Sequence, residues 1–323
     1  MYKVIMAPTD GTGFDREAIR VATRIAGRTG ATLKLVRVES APMVFTGPDT
    51  AAYDSEAMTR EREWELSQLA ELAAECRQET RCCVTAKLEN GPVPDALAGF
   101  ARENEVDLIV ISSHGRGGFA RMALGSVTDA LIRTTNIPVL VVKQPASYLH
   151  PRVSLGFAEI LVPLDGSLLA EEILPHVIEL AGQNDASVTL LNVLIPHSYS
   201  QKEIEDPHLP WWEGDVDEAR DYLEKKADYV RSFAIPASIE MVIADDVADA
   251  ITRTSARIRS DLIAIATHGL GGLSRLIHGS VADKVKLTAM NSMLIFHPPT
   301  LATEKERATR ALPSAAAWQG AIA

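Results

Sequence analysis

The chain writes one stretch twice. Ile109-Val110-Ile111-Ser112-Ser113-His114-Gly115-Arg116-Gly117-Gly118 runs on to Gly125-Ser126-Val127, and Ile265-Ala266-Thr267-His268-Gly269-Leu270-Gly271-Gly272 runs on to Gly279-Ser280-Val281. Each copy reads as a buried strand, a glycine-rich turn and the start of a helix, with Ser126 suited to cap orphan amides. Backbone N–H groups gathered at such a turn suit an anion, so each copy is a candidate phosphate cradle.

The duplication extends far beyond the glycines. Ile160-Leu161-Val162-Pro163-Leu164-Asp165-Gly166-Ser167 echoes Val4-Ile5-Met6-Ala7-Pro8-Thr9-Asp10-Gly11-Thr12. Asp10 and Asp165 are 155 positions apart, as are Val38 and Val193, and Gly115 and Gly269 are 154 apart. An offset held over a whole domain length argues for two copies of one unit in tandem. The 323 residues accommodate this comfortably. The expected domains are 1–145 and 157–299, joined by a proline-bearing linker around Gln144 to Gly156. Residues 300–323, rich in Ala, Thr, Glu and Arg with little periodicity, are expected to be a disordered tail.

Within each copy, apolar strands alternate with amphipathic helices. Copy one predicts strands over Tyr2 to Met6, Thr32 to Val38, Cys82 to Leu88, Leu108 to Ile111 and Val139 to Val142. Its helices are predicted around Ala18 to Ala26, Ser55 to Arg77, Asp95 to Asn104 and Ser126 to Thr135. Copy two repeats the pattern, with strands at Ser187 to Leu194, Ser238 to Ile243, Leu262 to Ala266 and Met293 to Phe296. The fold class is α/β: two tandem open parallel five-stranded sheets, strand order 3-2-1-4-5, with helices on both faces. Pairing of the two fifth strands within the chain would remove two exposed edges and relate the copies by a pseudo-two-fold axis. A homodimer through the helices is compatible with this arrangement.

Ligands of open parallel sheets sit beyond the carboxyl ends of the strands where the order reverses. With order 3-2-1-4-5 that point lies between strands 1 and 4, so Asp10 and Gly115, and likewise Asp165 and Gly269, converge on one crevice. Val38 or Val193 stands next door. A carboxylate, an apolar wall and a glycine-lined nest of amides suit an adenosine, a ribose and a phosphate chain.

These residues resemble the universal stress protein family. Its nucleotide-binding members carry glycine, two residues, glycine, nine residues, then glycine with a small hydroxyl residue. Gly115 and Gly125-Ser126, and Gly269 and Gly279-Ser280, keep the second and third elements with nine residues between them. The first element departs, being Ser112 in one copy and Ala266 in the other, both small. The resemblance implies ATP or a related adenine nucleotide as ligand, with magnesium as its counter-ion. Asp10 or Asp165 would hold the adenosine moiety, Val38 or Val193 would contact adenine, and Gly115, Gly125 and Ser126, or Gly269, Gly279 and Ser280, would hold phosphates. Pro8, Ser112 and Val127, and Pro163, Ala266 and Val281, complete the two implied sets.

Composition excludes other classes. A net charge of −11 opposes nucleic-acid binding, which needs clustered Lys and Arg. Cys76, Cys82 and Cys83 form neither a CxxC pair nor a disulfide scaffold and fit a reducing cytosol; Cys82-Cys83 reads as core packing at a strand start. No signal segment or membrane span is evident, which predicts a cytoplasmic protein. His114 and His268 read as packed turn residues, since no nucleophile accompanies them. Arg121 and Arg275 fit a solvated role as well as a phosphate contact. No residue is assigned a catalytic or metal-binding role.

The expected function is a nucleotide-binding stress or regulatory protein without rapid chemistry. An alternative is an ATP-hydrolysing or nucleotidyl-transfer enzyme of the related fold. Such enzymes carry a Ser-Gly-Gly-x-Asp-Ser loop after strand 1, where this chain has Thr9-Asp10-Gly11-Thr12-Gly13-Phe14-Asp15. The third reading is a structural stress protein with vestigial sites, against which the intact spacings stand.

Overall fold

The computed structural model describes residues 2–39, 55–113, 124–143, 156–195, 213–267 and 280–299. The chain divides into two compact units, Met1–Gln144 and Pro145–Ala323. The first contains β1 (Val4–Pro8), α1 (Arg16–Thr29), β2 (Thr32–Glu39), α2 (Ser55–Glu79), β3 (Val84–Asn90), α3 (Val93–Glu103), β4 (Leu108–Ser112), α4 (Ser126–Thr134) and β5 (Val139–Val142). The second contains β6 (Glu159–Pro163), α5 (Leu168–Glu171), α6 (Leu174–Asn184), β7 (Ser187–Leu194), α7 (Glu213–Arg231), β8 (Ala237–Ile243), α8 (Val247–Ile258), β9 (Leu262–Ala266), α9 (Ser280–Thr288) and β10 (Ser292–Phe296).

The strands of the first unit pair in parallel in the order β3-β2-β1-β4-β5. Those of the second pair as β8-β7-β6-β9-β10. The registers match position for position. Ile5 lies opposite Leu108 and Pro8 opposite Val36, while Ile160 lies opposite Leu262 and Pro163 opposite Leu191. Because the order reverses at β1 and at β6, right-handed crossovers put α1 and α2 on one face and α3 and α4 on the other; the contacts between α1 and α2 and between α3 and α4 agree. The centre is apolar on both faces: Ile5, Met6, Leu33, Leu35, Leu108 and Ile109 are fully buried in one unit, and Ile160, Leu161, Val188, Leu190, Leu262 and Ile263 in the other.

Matching devices fix the strands. Asp107, just before β4, accepts the backbone N–H groups of Lys3 and Val4 at 2.7 and 2.9 Å. Asp261, just before β9, does the same for Ala158 and Glu159 at 2.8 and 3.1 Å. Helix α1 buries Ala18, Ile19, Ala22, Ile25 and Ala26 as one stripe and stops at Gly30, whose φ of 72° closes the last turn. The corresponding helix of the second unit is interrupted between Glu171 and Leu174. Pro175, in the first turn of α6, has no N–H to continue the hydrogen-bond ladder back to Glu171.

Several boundaries differ from the sequence reading. The first strand runs Val4–Pro8 rather than Tyr2 to Met6, because Asp107 occupies the N–H groups of Lys3 and Val4 and the ladder to β2 starts only at Val4. β3 begins at Val84 rather than Cys82. Cys83 contributes only its carbonyl, to Leu33 N–H at 2.8 Å, and its side chain is exposed, so the Cys82-Cys83 pair is not core. Cys76 is the buried cysteine, and burial pushes its thiol pKa up.

Candidate functional site

The carboxyl ends of β1, β2 and β4 bring three predicted positions to one edge. Pro8 ends β1 opposite Val36, and Thr9 N–H extends the ladder to the Val36 carbonyl at 2.9 Å, which puts Asp10 beside Val38 across one strand spacing. Ser112 ends β4 on the other side of β1 and is half-buried, as are Asp10 and Val38. In the second unit Leu164 N–H reaches the Leu191 carbonyl at 2.8 Å, so Asp165 stands beside Val193, with Pro163 and Ala266 ending their strands.

The segment after β4 is closed at its neck. Gly125 N–H donates to the Ser113 carbonyl at 2.8 Å, and Thr128 Oγ1 donates to the Ser112 carbonyl at 3.1 Å. Gly125 itself is the N-cap of α4, in extended conformation and with no side-chain cap, which corrects the expectation that Ser126 caps this helix. Ser126 is the first helical residue and is exposed; Val127 is half-buried. The start of α4 therefore lies just past the end of β4 without a side-chain cap from its N-cap residue, and a helix start favours negative charge. Ser280 opens α9 and Val281 follows it, half-buried. Gly115, Gly269 and Gly279, together with His114, His268, Arg121 and Arg275, lie outside the described residues.

The turn after β1 is densely bonded. Asp10 Oδ1 accepts from Thr12 N–H at 2.9 Å and from Thr12 Oγ1 at 2.6 Å. Asp15, which is buried, accepts from the Thr9 hydroxyl and from Asp10 N–H, the latter at 3.1 Å, and Gly11 N–H donates to Thr9 Oγ1 at 3.2 Å. Asp10 therefore shapes the turn, while Asp15 holds the N-cap position of α1 and spends its carboxylate on the turn rather than on a cap bond. In the second unit Asp165 is exposed and accepts from Ser167 N–H at 2.9 Å, and Ser167 caps α5 through Ala170 N–H at 3.1 Å.

Sequence reasoning missed the side chains beneath these turns. Arg37 is 7% exposed and donates Nη2 to Glu65 Oε1 on α2 at 2.8 Å. Its counterpart 155 positions on, Asn192, donates Nδ2 to the Leu164 carbonyl at 2.8 Å. The second unit has instead a buried pair between Glu171 and Lys226 Nζ at 2.7 Å. Tyr222 lies beside Glu171, Asp165 and Gly166; burial first, then the Glu171 charge, pushes its hydroxyl pKa well up. The available signal was a charged residue between Val36 and Val38, in a strand that also carries Lys34 and Glu39. Among the described residues, no cluster of three or more His, Cys, Asp or Glu side chains could hold a metal ion, and no helix is long and apolar enough to cross a membrane.

Comparison with known proteins gives a consistent family. The model of the universal stress protein family matches residues 1–143 and again 156–297. Universal stress protein MJ0531 of Methanocaldococcus jannaschii is 31% identical over 147 residues, covering 45% of this chain and 84% of that protein. Universal stress protein Rv1996 of Mycobacterium tuberculosis is 23% identical over 319 residues, covering 91% of this chain and 95% of that one. The crystal structure of a universal stress protein from Archaeoglobus fulgidus superposes with a TM-score of 0.67 at 15% identity, covering 92% of this chain and 98% of that chain, a likeness of fold.

Proposed function

The chain belongs to the universal stress protein family, and from that premise we propose that it binds ATP or a related adenine nucleotide at the strand ends of one or both units and acts as a regulatory protein rather than a rapid catalyst. The observation that carries this is the meeting, at one sheet edge, of an acid after the first strand, a valine at the end of the second and the uncapped amide start of α4. The same acid and valine recur in the second unit. The donor set suits the ligand end to end. Asp10 or Asp165 would accept from ribose hydroxyls and Val38 or Val193 would lie against the base. The amides at Gly125 to Val127, with Gly115, would hold phosphate oxygens, and Gly269, Gly279 and Ser280 would do so in the other unit. Magnesium would travel with the phosphates.

The described groups at the crevice are amides, hydroxyls and a carboxylate, which bind and orient but give no activated nucleophile. This supports occupancy, not turnover, as the output, and a cytoplasmic stress response as the setting. The test is mass spectrometry of freshly purified, denatured protein for adenine nucleotide, then titration with ATP and magnesium. Gly115→Ala and Gly269→Ala then locate the site: loss with one substitution only assigns the working unit. Absence of bound nucleotide, with none taken up on titration, would overturn the assignment. Steady release of inorganic phosphate over many turnovers would favour the enzyme reading instead.

A further inference from the structure

Gly11 and Gly166 hold the same place in the two units, one residue after the crevice acid, and both have positive φ, 72° and 85°. What lies over them differs. A Cβ at Gly11 would come within 2.7 Å of Arg37 Nη1 and 3.2 Å of its Cζ, whereas at Gly166 it would meet no atom of the described residues within 4 Å. The guanidinium thus covers the first glycine, and among the described residues no side chain takes that place over the second.

Position 37/192 accounts for the difference. Arg37 lies opposite Leu88 in the ladder, and Asn192 opposite Met241 at the matching place. Arg37 is anchored by Glu65, and its guanidinium stands 6.0 Å from the centre of the Trp64 ring. The buried positions Leu69, Ala73 and Cys76 of α2 match Leu223, Ala227 and Val230 of α7 at a spacing of 154, so Ala219 stands where Glu65 does. The second unit therefore lacks both members of the covering pair. It also leaves polar capacity unspent: Asn192 is 9% exposed, and among the described residues its Oδ1 is buried without a hydrogen-bond partner. Orphan polar atoms of this kind call for a ligand or water.

We propose that residue 37/192 decides which crevice accepts the nucleoside end of the ligand: Asn192 admits it in the second unit, and the Arg37–Glu65 pair excludes it from the first. The inference rests on the adenine-nucleotide reading above. A nucleoside lying along the acid and the valine needs the space over the glycine. In the first unit that space is gained only by pulling Arg37 from Glu65, which strands a buried carboxylate and is strongly unfavourable. In the second unit no described residue fills the space over the glycine, and Asp165 is exposed, with Ser167 N–H bonded to one of its oxygens.

The test counts tight ATP equivalents per chain by equilibrium dialysis of the full-length protein with radiolabelled ATP and magnesium. The wild type should bind one. Asn192→Arg should weaken that site at least tenfold. Arg37→Asn with Glu65→Ala, which copies the second unit into the first, should add a second equivalent, a gain that misfolding cannot produce. Two equal equivalents in the wild type, a tight site surviving Asn192→Arg, or no gain in the double variant would overturn the proposal. No ATP bound by the wild type would instead remove the nucleotide reading on which it rests.

Discussion

The turns after β1 and β6 begin alike and are held differently. In the first unit Thr9, Asp10, Gly11, Thr12 and Asp15 bond to one another, with an ion pair from β2 and α2 beneath them. In the second, the Asp165–Ser167 turn bond, the Ser167 cap, Asn192 on the Leu164 carbonyl and an ion pair between α5 and α7 serve the same loop. The registers are common to both units, so the sheet does not require either solution. Side chains at the strand ends are free to vary once the ladder and the central apolar layer are fixed.

The largest expected effect comes from splitting the ion pairs. Arg37→Met should destabilise the first unit by about 3–5 kcal/mol, because Glu65 is left buried with its charge unmatched. Lys226→Met should do less to the second, since that ammonium is more exposed. Urea unfolding of the single variants, set against Arg37→Met with Glu65→Leu, checks this; the double variant should recover most of the loss. Ile109→Ala and Ile263→Ala, both fully buried at matching register, should each cost about 2–5 kcal/mol. A consistent gap between them would mean that the two cores, and not only the turns, have diverged.

The pH responses should run in opposite directions. Burial lowers the Lys143 pKa to about 8 from 10.5. Between those values the unfolded chain holds a proton that the folded unit releases, so the first unit gains stability as pH rises from 8 to 10.5, on the order of 1–2 kcal/mol after allowance for solvent screening. In the second unit burial raises Tyr222, and also Tyr229, to about 12 in the latter case. There the folded form holds its protons longer, and stability falls as pH climbs above 10. Denaturant midpoints against pH for Lys143→Met and Tyr222→Phe separate the two slopes. The smallest effects are at the turns: Asp15→Ala, which removes the acceptor for the Thr9 hydroxyl and Asp10 N–H, should cost the first unit about 1–2 kcal/mol, and Ser167→Ala, which removes a helix cap, the second about 1 kcal/mol, both read as shifts in melting temperature.

Strand order, the repeat and the positions of Asp10, Val38 and Ser112 were legible because they depend on local signals: apolar runs, turn residues and a fixed spacing. Where β1 and β3 begin was less so, since Asp107 and the backbone of Cys83 act on those ends from elsewhere in the sheet. The Arg37–Glu65 pair was invisible for a stronger reason. Its members are 28 positions apart, on different elements, and only packing decides which residue of α2 meets the end of β2. Asn192 is similarly silent; an asparagine near a strand end reads as an ordinary turn residue until its buried oxygen is found without a partner.

The matching registers have a consequence for how such a protein can change over time. In a dimer of identical single-unit chains, every substitution is made in both sites at once, and a change that closes one closes the other. Here the same ladder is encoded twice, so a mutation at position 37 leaves position 192 untouched. Duplication within one gene thereby lets one half keep an inherited task while the other drifts toward a new one.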